Sequence, residues 1–221
     1  MRVTLPIVLL ASAALHASET DNRRLAEASS MFKEIMDTPD RSIPRDLLRN
    51  AECAVLVPSL KKASFIVGAK YGRGFAVCRT PAGWSAPIAV RIEGGSVGLQ
   101  IGASETDILL LVMNKRGMER LLSSQFTLGG EAEVAAGPVG RETNAATDVT
   151  MRAEILSWSR SRGVFAGIAL QGATLRADGD TDKEVYGQAI DRKAALNGQV
   201  SVPKAAGDLV KTLTRYAGVG K

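Results

Sequence analysis

Residues Gly94–Gly98 read Gly-Gly-Ser-Val-Gly. They match the G-x-S-x-G pattern, in which a strand-to-helix turn presents a serine nucleophile to a histidine base. The chain has a single histidine, His16, inside its apolar N-terminal stretch. The commonest general base and the commonest zinc ligand are therefore missing from the remainder. Strand-like sequence, not a helix, follows Ser96, so this serine is expected in a turn between strands. Neither a phosphate-cradling G-x-x-x-x-G-K-[ST] loop nor a dinucleotide fingerprint occurs. Asp178, Asp180 and Asp182 are spaced two apart as in a calcium loop, but Lys183 stands where such a loop needs glycine and Ala189 where it needs glutamate. A solvated loop and helix start is expected there. The sequence thus implies no catalytic residue, no metal and no cofactor.

Charge is the more informative chemistry. From Cys53 to Ile92 there is no Asp or Glu, although the chain holds 23 acids, while Lys61, Lys62, Lys70, Arg73, Arg79 and Arg91 all fall there. Lys61 and Lys62 are expected in a turn, and Arg73 at a hairpin tip formed by Gly72–Gly74, beside Tyr71. Loops gathered at one end of a sheet would join Lys61, Lys62, Lys70, Tyr71, Arg73 and Arg79 into a basic patch. Anionic lipid headgroups fit such a patch, at roughly 1 kcal/mol for each near-surface base. Alternatively these bases are scattered over several faces and only solvate the sheet. The net charge of +5 favours an anionic partner, but no nucleic-acid recognition motif is present.

The elements that would position these groups follow from periodicity. Residues Arg23–Asp37 have helical spacing, with Leu25, Ala28, Phe32, Ile35 and Met36 on one face. Their polar face balances Arg23, Arg24 and Lys33 against Glu27, Glu34 and Asp37, unlike the basic faces of membrane-surface helices. Leu25, Phe32, Ile35 and Met36 are therefore expected to pack inward, and are also the candidates for membrane insertion. A second short helix is expected over Pro44–Glu52, capped by Ser42.

Short β runs follow at Cys53–Val57, Ser64–Tyr71, Gly74–Arg79, Ala86–Glu93, Ser96–Gly102 and Asp107–Met113. A helix is expected over Asn114–Ser124. Strand character returns at Glu131–Gly137, Asp148–Arg160, Gly163–Leu170 and Ala173–Ala177, before a helical turn at Thr181–Gly187. Pro203 opens a last amphipathic helix, which either packs on the domain or stays mobile. Strands rarely alternate with long helices, which disfavours a parallel α/β sheet. The expectation is one α+β domain: an antiparallel, barrel-like sheet with two N-terminal helices and a C-terminal helix.

Arg2, the apolar run Leu5–Leu15 and the small residues after it have the form of a secretory signal spanning residues 1–17. The run is too short to span a bilayer. The domain would then comprise a helical segment to residue 52, a β-rich core over 53–187 and a tail over 188–221. Export predicts a periplasmic or extracellular protein, peripherally attached to membrane. Cys53 and Cys78 either pair there or remain buried thiols.

Five ordered blocks carry a resemblance: Val57–Arg79, Gly83–Gly102, Ser104–Gly129, Glu133–Arg141 and Ile155–Gly172. Together the chain resembles the SYLF domain from about Ile43 to about Gly187. The resemblance implies lipid binding, notably of phosphoinositides, and, as in some fungal members, binding to actin filaments. For an exported bacterial chain the anions at hand are phosphatidylglycerol, cardiolipin or lipopolysaccharide phosphates. Three readings follow. The first is a non-catalytic binder of anionic lipid acting through the basic patch. The second is a protein-interaction module, and the third a serine hydrolase at Ser96.

Overall fold

The computed structural model describes the backbone of residues 7–38, 42–64, 67–97, 102–140, 153–161, 164–168 and 170–218, with side chains from Glu19 onward except those of 64, 67, 96, 97, 102 and 103. The side chains of the signal-like segment, residues 98–101 of the strand expected over 96–102 and the start of the strand expected over 148–160 lie outside the described residues.

A single helix, α1 (Ile7–Asp37), includes the stretch read as beginning at Arg23. The second helix, α2 (Arg45–Asn50), starts after Pro44, which supplies no side-chain cap; Ser42 does not cap it, and its carbonyl instead accepts from Gly140 N at 3.0 Å. Among the described residues no helix is long and apolar enough to cross a membrane.

The strands β1 (Cys53–Ser64), β2 (Val67–Thr80), β3 (Gly83–Trp84), β4 (Ile88–Val97) and β5 (Gly102–Val112) follow in antiparallel succession. After α3 (Lys115–Leu121) come β6 (Gln125–Thr127), β7 (Val134–Ala136), β8 (Ile155–Ser161), β9 (Val164–Gly167) and β10 (Thr174–Ala177). Helices α4 (Gly179–Tyr186), α5 (Arg192–Leu196) and α6 (Gly207–Ala217) close the chain.

The spatial order is β6-β10-β4-β2-β1-β5-β8-β7, with β3 on β2 and β9 on β8. The result is the α+β class expected, a curled half-barrel. Among the described strands β7 departs from the antiparallel pattern, running parallel to β8.

Both faces of this sheet are buried, which is why β1 opens with an unbroken apolar run rather than an alternating one. One face packs Leu56, Phe75, Val77, Leu109 and Leu111 under α1, α2 and α6. The other packs Val55, Ala76, Ile88, Val90 and Leu110 beneath α3, β6 and α5. Leu25, Phe32 and Ile35 are at most 2 % exposed and Met36 is buried beside them, so α1 spends its apolar stripe on the core. The four candidates for membrane insertion present no exposed apolar face. The C-terminal helix packs on α1 through Leu209, Leu213 and Tyr216: Ser29 and Thr212 share a hydrogen bond at 3.0 Å, and Tyr216 bonds Asp37.

Cys53 and Cys78 face each other across the β1–β2 ladder, fully buried, and their sulfurs are joined at 2.00 Å.

The stretch Gly72–Gly74 is not a hairpin tip. β2 runs straight through it, because β1 carries an extra residue opposite: pairing lapses between Leu56 and Lys61 against β2, and between Val57 and Leu60 against β5. At this bulge Ser59 adopts φ 53°, and its N–H donates to Asp107 Oδ1 at 2.9 Å. The bulged backbone crowds β2, and glycine leaves the room.

Helix α4 docks on β4 by polar contacts. Asp182 accepts from Ala89 N at 2.6 Å, and Tyr186 donates to the Pro87 carbonyl at 2.6 Å. Burial, then the Asp182 charge, raises the Tyr186 phenol above its ordinary value. A raised phenol contributes stability that is complete below about pH 10 and is lost as pH climbs toward the folded-state value. The wild type minus Tyr186→Phe difference in unfolding free energy should therefore be flat to about pH 10, then fall by about 1.4 kcal/mol per pH unit. Denaturant titrations at pH 8, 10 and 11 check this.

Candidate functional site

The structure separates the expected basic patch into three places. Successive strand residues point to opposite faces. Lys61 lies opposite Tyr71, and with Arg73 they face α1. Lys62 lies opposite Lys70, on the other face. Arg79 stands at the far end of β2 and is not part of any patch. Its guanidinium donates to the carbonyls of Ala51 (3.1 Å), Leu48 (3.0 Å) and Ala217 (2.9 Å), and lies 4.6 Å from the Trp84 ring. It joins the C-terminal ends of α2 and α6, where a cation offsets the unpaired carbonyls.

Acids from distant segments, and Glu93 just beyond the run, partly neutralise it. Lys61 pairs with Glu105 at 3.7 Å, Arg73 with Asp178 at 3.2 Å and Arg91 with Glu93 at 2.7 Å. Among the described residues no acid lies within ion-pair distance of Lys62 or Lys70. Burial, and then the neighbouring Lys62, pull the Lys70 ammonium below its usual range.

The three close-spaced aspartates diverge rather than converge. Asp178 caps α4 and holds Arg73, Asp182 holds Ala89 N and Arg192, and Asp180 points to solvent beside Lys183. The Ser96 backbone lies within the β4 ladder, paired with Gly68, and not in a turn. Its side chain is outside the described residues.

What the fold does assemble is a cleft of about 430 Å³ between α1 and the β1–β2 ribbon. Helix α1 contributes Arg23, Arg24 and Glu27. The bulge contributes Ser59 and Lys61, β2 contributes Tyr71 and Arg73, and β5 contributes Glu105. Two guanidinium groups are held from behind. Arg24 pairs with Asp21, whose side chain is 2 % exposed, and Arg73 with Asp178, at 1 %. The Arg73 Nε also donates to the Tyr71 hydroxyl at 2.9 Å. Glu184 rises above the usual carboxyl range, first through a hydrogen bond to Asp21 and then by burial. Arg23 and Glu27 from α1 fell outside the sequence-level patch. Their signal was the i,i+4 spacing on the polar side of that helix.

The family model described as "Ysc84: Las17-binding protein actin regulator" matches residues 93–216, more than half of the chain. The chain belongs to the Ysc84 (SYLF) family. Relatives of the Ysc84 type include the "SH3 domain-containing YSC84-like protein 1" of Rattus norvegicus, 33% identical over 202 residues that cover 90% of this chain and 59% of the relative. "Protein YSC84" of Saccharomyces cerevisiae is 32% identical over 184 residues, covering 80% of this chain and 39% of the relative. An "SH3 domain-containing protein" of Schizosaccharomyces pombe is 37% identical over 175 residues, covering 77% and 40%. The chain therefore spans from about two fifths to three fifths of the length of these Ysc84-type relatives. The SYLF resemblance noted in the sequence and the family match agree.

Proposed function

We propose that this chain is a non-catalytic protein-interaction module of the actin-regulator kind. The observation that carries this reading is the family match over residues 93–216. The geometry supports it over the lipid reading that charge and the family resemblance had favoured. Three of the six bases counted in the acid-free run have acidic partners: Glu105 and Asp178 from other elements for Lys61 and Arg73, and Asp178 with the same-strand Glu93 for Arg91. A fourth, Arg79, serves helix ends. The apolar stripe of α1 is buried in the core. Non-catalysis draws support from Ser96, whose backbone continues a strand ladder where a nucleophile elbow would need a turn into a helix.

The test is co-sedimentation of the full chain with actin filaments, the partner class in the family's description. Saturable pelleting with filaments, absent without them, is the expected result. No pelleting at micromolar filament concentration would overturn the actin assignment.

One observation favours a second reading. Lys62 and Lys70 stand side by side without an acidic partner among the described residues, as an anionic headgroup site requires. Vesicles of phosphatidylglycerol in phosphatidylcholine, with Lys62→Glu/Lys70→Glu as the variant, test it.

A further inference from the structure

We infer that the cleft between α1 and the β1–β2 ribbon is a docking site for an acidic segment of a protein partner. This deepens the interaction-module reading and rests on it.

The first ground is preorganisation. Arg24 and Arg73 line the cleft, and each is fixed by a carboxylate almost wholly removed from solvent, Asp21 and Asp178. A guanidinium has five N–H donors in a planar fork. Arg73 commits its Nε to Tyr71 and Asp178, which leaves its two terminal nitrogens for a ligand. Arg24 commits one terminal nitrogen to Asp21 and retains its other donors. Groups immobilised before binding lose little further entropy when a carboxylate arrives, and their forks match its two oxygens.

The second ground is the rim. Arg23 and Lys61 stand on opposite sides with side chains 72% and 74% exposed, and Tyr71 is exposed between strands as a flat surface against which a peptide can lie. Tyrosine and arginine are the residue types enriched where protein partners anchor.

The third ground is the mixture of signs. Four bases meet two acids, Glu27 and Glu105, in the same lining. A membrane surface of uniform negative charge would press against both glutamates, and among the described residues Tyr71 is the one large apolar side chain exposed in the cleft lining. A peptide that carries acids next to an occasional base satisfies all of them. The bulge belongs to this lining, because it interrupts the pairing of β1 with both β2 and β5 and its residues Pro58 and Ser59 line the cleft.

The experiment measures fluorescence anisotropy of a labelled peptide of four glutamates around a central lysine, flanked by glycines, on the full chain. Two double variants carry equal charge changes, one across the cleft and one on the opposite face of the ribbon. Arg23→Glu/Lys61→Glu should weaken peptide binding about tenfold, whereas Lys62→Glu/Lys70→Glu should change it less than about twofold. Tyr71→Ala, which leaves net charge untouched, should also weaken it. Equal losses from the two double variants would show diffuse attraction to a basic protein and overturn the inference. So would vesicle binding abolished by Arg23→Glu/Lys61→Glu with no peptide binding, which would make the cleft a lipid site. Actin co-sedimentation separates this inference from the reading beneath it. Pelleting unchanged in Arg23→Glu/Lys61→Glu sinks the cleft and keeps the module. Peptide binding without pelleting keeps the cleft and sinks the actin assignment.

Discussion

Replacing Arg79 by alanine should lower the unfolding free energy by about 3 kcal/mol, since it removes charge-assisted bonds to helix-end carbonyls and leaves them without a donor. At this chain length that is a fall in melting temperature of about 6–12 °C. The cause is particular to this fold. One side chain reaches the last turns of α2 and α6, through Leu48 and Ala51 on one side and Ala217 on the other, while its planar group covers Trp84. Arg79→Lys keeps the charge but not the fork, and should recover less than half of the loss. Differential scanning calorimetry of the three proteins decides it. Equal melting temperatures for wild type and Arg79→Ala would mean that water satisfies those carbonyls as well as the guanidinium does.

Gly74→Ala should be at least as damaging, at about 3 kcal/mol or more, and should reduce the yield of folded protein. A methyl group there would sit 2.0 Å from the Leu56 carbonyl oxygen and 2.7 Å from the Val57 Cα, both backbone atoms that the disulfide and two flanking strands hold in place. Gly95→Ala is the matched control on the neighbouring strand, where the nearest atom is 4.0 Å away. It should be neutral or mildly stabilising, because alanine loses less chain entropy on folding. Chemical denaturation of both variants tests the contrast. A tolerated Gly74→Ala would show that the bulge in β1 is loose enough to shift.

These two residues also mark where the sequence was and was not legible. Glycine at 72 and 74 reads as a turn because turns are what paired glycines usually mean. Here the requirement came from an extra residue in the partner strand, which nothing local to β2 announces. Arg79 read as part of a basic patch because counting acids along a segment cannot see Asp178 or Glu105 arriving from other elements, nor helix ends folding back on β2. Periodicity served well where structure is local. The core face of α1, the capped start of α3 at Asn114 and the amphipathic C-terminal helix all follow from spacing. The short β6 and the insertion of β10 between β6 and β4 do not, since their pairing is with strands remote in sequence. The cleft was half legible: Lys61, Tyr71 and Arg73 were singled out, but not the helix residues that face them.

The order of the strands bears on how the chain is made. β4 (Ile88–Val97) has β2 on one edge, but its other edge waits for β10 (Thr174–Ala177), and α1 is covered only when α6 (Gly207–Ala217) arrives. During synthesis, then, the growing chain holds an open sheet edge and a half-covered apolar helix until the segment 174–217 has left the ribosome. Exposed edges and uncovered apolar faces are what nascent chains aggregate through and what chaperones hold. Closure of this domain in that sense waits for its own C-terminal segments, set by the remoteness in sequence of the contacts that close it.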